Sequence, residues 1–125
     1  MRPTRPFYLN LIQIRLPIGG FVSILHRASG AALSLVVPAL LYVLMLSLRS
    51  EADFAQIRNL AGGVLGALVG LGLVWALIHH FLAGLRHLGF DIGWGESKLR
   101  ARMTAWIVLF AALLLTAVAA VGWLA

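Results

Sequence analysis

The chain has 125 residues, of which 62% are hydrophobic and 11% charged, with no cysteine and a formal net charge of +6. Soluble domains are about 45–50% apolar and about 25% charged, so an ordinary soluble domain is excluded. So are a disulfide scaffold and any thiolate or iron–sulfur centre built on this chain alone. A mean hydropathy of +0.97 marks a small integral membrane protein, and the length predicts one domain over 1–125.

In chain order, residues 1–18 read as a polar, Pro-containing N-terminal segment on the cytoplasmic side. This is the wrong pattern for a cleavable signal peptide. Residues 28–48, 59–85 and 103–125 are free of Asp, Glu, Lys and Arg. A helix rises about 1.5 Å per residue, so roughly 20 apolar residues cross a bilayer core of roughly 30 Å. The expected fold is all-α, with three transmembrane helices over about 19–48, 60–88 and 103–124. The outer half of the second carries Gly62, Gly66 and Gly70 at intervals of four. Such a stripe admits a close helix neighbour, either in this chain or in a partner.

Basic residues set the expected orientation. Eight of the ten, Arg2, Arg5, Arg15, Arg27, Arg86, Lys98, Arg100 and Arg102, flank the N-terminal segment and the connection after the second helix. Only Arg49 and Arg58 flank the other connection. The N-terminus is therefore expected in the cytoplasm and the C-terminus outside. The positive charge is a topology signal with no basic stripe for a duplex, so no nucleic-acid partner is expected. Trp94, Trp106 and Trp123 fall near expected membrane boundaries.

Polar groups inside spans are costly and mark sites. Ser23, His26, Arg27 and Gly30 share one face of the first helix, and His80, Gly84, His87 and Asp91 share one face of the second. With the helices antiparallel, both faces meet in the cytoplasmic half of the membrane. Thr104 and Thr116, the polar residues of the third span, read as packing. His80 is a candidate haem ligand, because neutral imidazole ligates haem iron and Gly84 leaves room for a macrocycle. Its competing role is a helix–helix hydrogen bond. His79 points about 100° away and reads as packing or hydrogen-bonded. His87 lies about 10 Å nearer the cytoplasm, suited to a propionate or interfacial contact. Arg27 either snorkels or faces an anionic group, a haem propionate or a reduced quinone oxygen. Ser23 either donates to a carbonyl of a ligand or bonds its own backbone.

Two segments carry a resemblance. The first is Arg5-Pro6 and Arg15-Leu16-Pro17 followed by Ser23-Ile24-Leu25-His26-Arg27-Ala28-Ser29-Gly30. The second is His80-Phe81-Leu82-Ala83-Gly84-Leu85-Arg86-His87-Leu88-Gly89-Phe90-Asp91-Ile92-Gly93. The chain resembles the cytochrome b556 subunits of succinate dehydrogenase, the larger of two membrane anchors of succinate–quinone oxidoreductase. That resemblance implies His80 as axial ligand to the iron of a haem b shared with the second, smaller anchor subunit. It implies Ser23 and Arg27 as ubiquinone contacts. His26, Arg27, Gly84 and His87 would then surround the haem, and Asp91 closes the second motif. Where the family often has an aromatic residue before the ligand, this chain has His79.

His80 and His87 share a helix face and cannot sandwich one haem, whereas the common depth of His26 and His80 allows an intrachain pair. The resemblance implies a ligand from the second anchor instead. Without cysteines or a Gly-rich dinucleotide fingerprint, the chain cannot oxidise succinate itself. Flavoprotein and iron–sulfur subunits are expected to deliver electrons from the cytoplasmic side, and with no transit-peptide pattern a bacterial inner membrane is expected ahead of a mitochondrial one, whose mature chain would look similar. A fumarate reductase anchor would share this architecture. A small multidrug-type transporter is disfavoured because Glu51, Asp53, Asp91 and Glu96 all lie outside the expected spans or at their ends. A haem-free structural anchor is the remaining reading.

Overall fold

The computed structural model describes residues 16–124, and all regular structure among them is helical. Arg2, Arg5, Arg15 and most of the expected N-terminal segment lie outside the described residues. Three long helices, α1 (Ile18–Ser47), α3 (Val64–Asp91) and α4 (Lys98–Leu124), are each long and apolar enough to cross a membrane. The short α2 (Glu51–Gly62) joins the first two.

The chain enters α1 through Pro17, whose extended ψ of 150° turns its carbonyl toward the amides of Gly20 and Phe21, at 2.8 and 3.1 Å. Proline suits this place because the first amides of a helix lack intrahelical acceptors. Pro38 inside α1 removes one backbone donor without ending the helix, as membrane helices tolerate.

The sequence reading made residues 49–59 a plain connection, but most of it is α2. Ser50 supplies the reason. Its hydroxyl accepts the Asp53 amide at 3.1 Å and donates to the Asp53 carboxylate at 2.8 Å. This is a serine N-cap whose hydroxyl is also held by the Asp53 carboxylate. Glu51 and Asp53 also put negative charge at the positive end of the helix dipole.

Gly63, extended at ψ 164°, separates α2 from α3, so the second span begins at Val64 and not near residue 60. At its far end α3 continues through Asp91, beyond the expected residue 88. It stops where Gly93 takes φ +78°. There Trp94 N–H bonds the Gly89 carbonyl at 2.8 Å and Gly93 N–H bonds that of Phe90 at 2.9 Å, the paired bonds of a Schellman terminus. Ser97 caps α4, its hydroxyl accepting the Arg100 amide at 3.4 Å. The third helix therefore starts five residues before the expected 103.

α3 is central and antiparallel to both α1 and α4, which also touch each other. The core is made of small side chains: Val22 of α1, Ala76 and Ala83 of α3, and Ala105, Val108 and Ala112 of α4. Lipid tails are as apolar as leucine, so helices associate in a membrane through close contact more than through apolar burial. Outward positions are accordingly large and apolar, including Leu35, Leu41, Leu68, Phe81, Phe110 and Val118.

The three glycines of the outer stripe have separate roles. A Cβ on Gly62 would meet nothing, one on Gly66 would run into the Leu60 and Ala61 carbonyls, and one on Gly70 would stand 3.2 Å from the Trp123 ring. The stripe serves contacts within the chain at Gly66 and Gly70. We expect Gly66→Ala to destabilise the protein by about 1–3 kcal/mol, the usual cost of overpacking. Gly62→Ala should be neutral or slightly stabilising. Thermal unfolding midpoints of the two detergent-purified variants check the contrast.

Candidate functional site

The two polar faces do meet. Near the basic end of the bundle, His26 of α1 lies between His80 and His87 of α3. The His26 and His80 rings are stacked with centroids 4.3 Å apart and planes 19° apart. His87 lies 5.1 Å from His26 on its other side, tilted by 33°. Phe90 presents its ring to His87 edge-on.

His80 is held by its Nδ1, which donates to the His26 main-chain carbonyl at 3.0 Å. A carbonyl can only accept, so Nδ1 carries a proton, and in the neutral ring this leaves the lone pair on Nε2. Ser29 supports the same point: its hydroxyl donates to that carbonyl at 2.9 Å and stands 3.4 Å from His80 Nδ1. Gly30 makes the approach possible, since a Cβ there would stand 2.6 Å from His80 Cε1. Gly84 faces His26, where a Cβ would be 3.5 Å from Nε2. Ser29 is the member of this group that sequence spacing did not single out. Its signal was present as a hydroxyl one turn beyond His26, buried by the α1–α3 contact.

These positions decide one open point. Imidazoles on opposite faces of one haem aim their lone pairs at each other, and metal–nitrogen bonds of about 2 Å put the ring centroids roughly 6 Å apart. His26 and His80 are nearly parallel and stacked at 4.3 Å, so this arrangement cannot hold one iron between them.

Ser23 and Arg27 lie on α1 three residues before and one residue after His26. Arg27 is exposed and its Nε reaches the Ser23 carbonyl at 3.5 Å. Ser29, Ser34 and Ser47 donate to carbonyls three residues earlier. Ser23 makes no such bond among the described residues. Asp91 is exposed, as the last residue of α3.

His79 lies on the inward face of α3 with Ala76, Ala83 and Arg86. It is fully buried and stacked on Trp75 at 5.1 Å, and neither ring nitrogen has a partner among the described residues. It packs, well apart from the face that carries His80.

Arg86, counted above only as an orientation marker, is 7% exposed. Its Nε donates to Thr104 Oγ1 at 3.1 Å and its Nη2 to the Ala101 carbonyl at 3.0 Å, while its guanidinium covers the Phe90 ring at 4.5 Å. Thr104 thus clamps α3 to α4, beyond the packing role expected of it. Thr116 only bonds back to the Ala112 carbonyl. Replacing Thr104 by Val should cost about 1–3 kcal/mol by leaving Arg86 Nε short of an acceptor. The double variant with Arg86→Met should lose less than the two single losses combined, measured by thermal unfolding.

Residues 1–119 match the family model described as succinate dehydrogenase/fumarate reductase transmembrane subunit. Similar proteins include the succinate dehydrogenase cytochrome b556 subunit of Paracoccus denitrificans, 36% identical over 75% of this chain and 72% of that one. That of Rickettsia felis is 36% identical over 92% and 87%, and that of Coxiella burnetii 32% identical over 94% and 98%. With the family match running through both polar faces and all three spans, the chain belongs to the succinate dehydrogenase/fumarate reductase transmembrane-subunit family, as a relative of its cytochrome b556 subunits.

Proposed function

We propose that the chain is the larger membrane anchor of a succinate dehydrogenase, with His80 as an axial ligand to haem b and with ubiquinone held beside Ser23 and Arg27. The observation that carries the reading is the His80 Nδ1 bond to the His26 carbonyl. A ligating histidine ordinarily gives its other ring N–H to a carbonyl or carboxylate, which fixes the tautomer and the ring direction. His80 has this arrangement, with Nε2 as the ligating nitrogen. Gly30 and Gly84 keep the surroundings small enough for it. The bound haem supplies one-electron storage.

The other residues then have defined tasks. His26 and His87 line the haem environment, together with Arg27 as a cation for its propionates. Ser23 donates its hydroxyl to a quinone carbonyl. Arg27 puts a fixed positive charge beside oxygens that become more negative on reduction, so it favours electron arrival there. The second axial ligand comes from the smaller anchor subunit. Iron–sulfur and flavoprotein subunits supply electrons at the basic end of the bundle, which faces the cytoplasm of a bacterium across its inner membrane. Residues 1–125 form one membrane-anchor domain, with 1–18 on that same side. The family description covers both flux directions, and the relatives named succinate dehydrogenase favour succinate oxidation.

Substituting His80→Ala is expected to abolish the reduced-minus-oxidised haem b spectrum of the purified complex, while His79→Ala keeps it. The reverse pattern would move the ligand to His79. Arg27→Leu is expected to lower quinone reduction about tenfold or more. Succinate oxidation with a soluble dye as acceptor should be unchanged, and retention of full quinone reductase activity would remove Arg27 from the site.

A further inference from the structure

A second feature lies on the opposite flank of α1. Between the first turn of α1 and the first three turns of α4 runs a groove of about 940 Å³. Ile18 in its wall and Arg27 are nine residues apart, hence about 180° apart around the helix. Neither the imidazoles of His26, His80 and His87 nor Ser23 and Arg27 line the groove, so it is separate from that cluster.

Its chemistry is graded with depth. Lys98, Arg102 and Trp106 line it at intervals of four residues, so they form one ladder about 12 Å long down α4. Two cations stand at the end of the span and an aromatic ring stands deeper, with Phe21 facing it from α1. The floor adds more positive charge. Ala101, in the wall, gives its carbonyl to Arg86 Nη2, and a Cβ on Gly19, also in the wall, would stand 3.2 Å from that nitrogen. Arg86 is thus buried directly behind the groove with neutral hydrogen-bond partners, a hydroxyl and a carbonyl. A buried charge is costly unless an opposite charge offsets it. Among the described residues no carboxylate lines the groove, and residues 1–15, which precede it in sequence, contain no Asp or Glu.

We propose that this groove seats an anionic phospholipid, with its phosphate between Lys98 and Arg102 and its acyl chains along Phe21 and Trp106. The match is one of charge and of shape in depth. Three cations converge where a headgroup phosphate lies, and the apolar walls begin one turn deeper, where acyl chains start. Basic pockets between membrane helices bind anionic headgroups in this way, and an interfacial indole suits the boundary between head and chain. A zwitterionic lipid brings its own cation into the same space and gains less.

The test uses the assembled complex in vesicles of mixed phosphatidylcholine and phosphatidylglycerol, extracted gently and weighed by native mass spectrometry. The native complex is expected to retain one phosphatidylglycerol that Lys98→Gln/Arg102→Gln loses. The control Arg49→Gln/Arg58→Gln, altered at the other end of the bundle, should retain it. Equal retention by the groove variant, or phosphatidylcholine held as readily, overturns the proposal. So does release of the lipid by millimolar inorganic phosphate, which would make this a site for the free anion. A photo-crosslinker replacing Phe21 in the otherwise native chain gives a check that does not require the cationic variant to assemble. Attachment to phosphatidylglycerol supports the lipid, and attachment to a protein subunit assigns the groove to that subunit and overturns it.

Discussion

The hydrogen bond from His80 to the main-chain carbonyl of His26 is the contact on which the polar half of the bundle depends. It crosses from α3 to α1 at a part-buried position, where a low local dielectric strengthens such a bond relative to water. It sets the tautomer of His80, brings the His26 ring into stacking distance and, through Ser29, ties a buried hydroxyl to the same carbonyl. The backbone makes room for this only because position 30 is glycine. A methyl group there would displace the ring that everything else is arranged around.

From that seam the bundle divides its polar residues by flank. The outer side of the α1–α3 contact carries the imidazoles, Ser23 and Arg27, residues suited to a redox centre and its electron acceptor. The inward face of α3 carries Arg86 and His79, which serve cohesion. Arg86 is tied to Thr104 and Ala101 of α4, and His79 fills space against Trp75. The far flank, between α1 and α4, is the groove with its cationic rim. Different faces of one helix thus carry the imidazole cluster and the packing residues without interference, because the 3.6-residue repeat sends neighbours such as His79 and His80 in directions about 100° apart.

Much of this was legible in the residue order. The uncharged stretches defined three spans to within a few residues, and periodicity alone placed Ser23, His26, Arg27 and Gly30 on one face and His80, Gly84 and His87 on another. The misplaced boundaries have local causes that could be read. Ser50 with Asp53 is a helix start, Gly63 a break, Gly93 a stop and Ser97 a second start, all of which hydropathy ignores because a cap is a matter of single hydrogen bonds. The burial of Arg86 stayed hidden for a different reason. Charge counting treats every arginine near a span end alike, and only the neighbours of α3 show that this one is turned inward.

The sequence by itself determined that the protein lies in a membrane, how many times it crosses, and which side chains share a helix face, since these follow from composition and from the fixed geometry of one helix. Only the tertiary structure decided which groups touch across helices. It showed that His80 is bound to a carbonyl and not to a side chain, that His26 stacks on it in a way that prevents the pair from holding one iron, and that the cation of Arg86 is buried. Those outcomes depend on the rotation and separation of whole helices, set by where alanines and glycines allow backbones to approach, and no single segment contains that information.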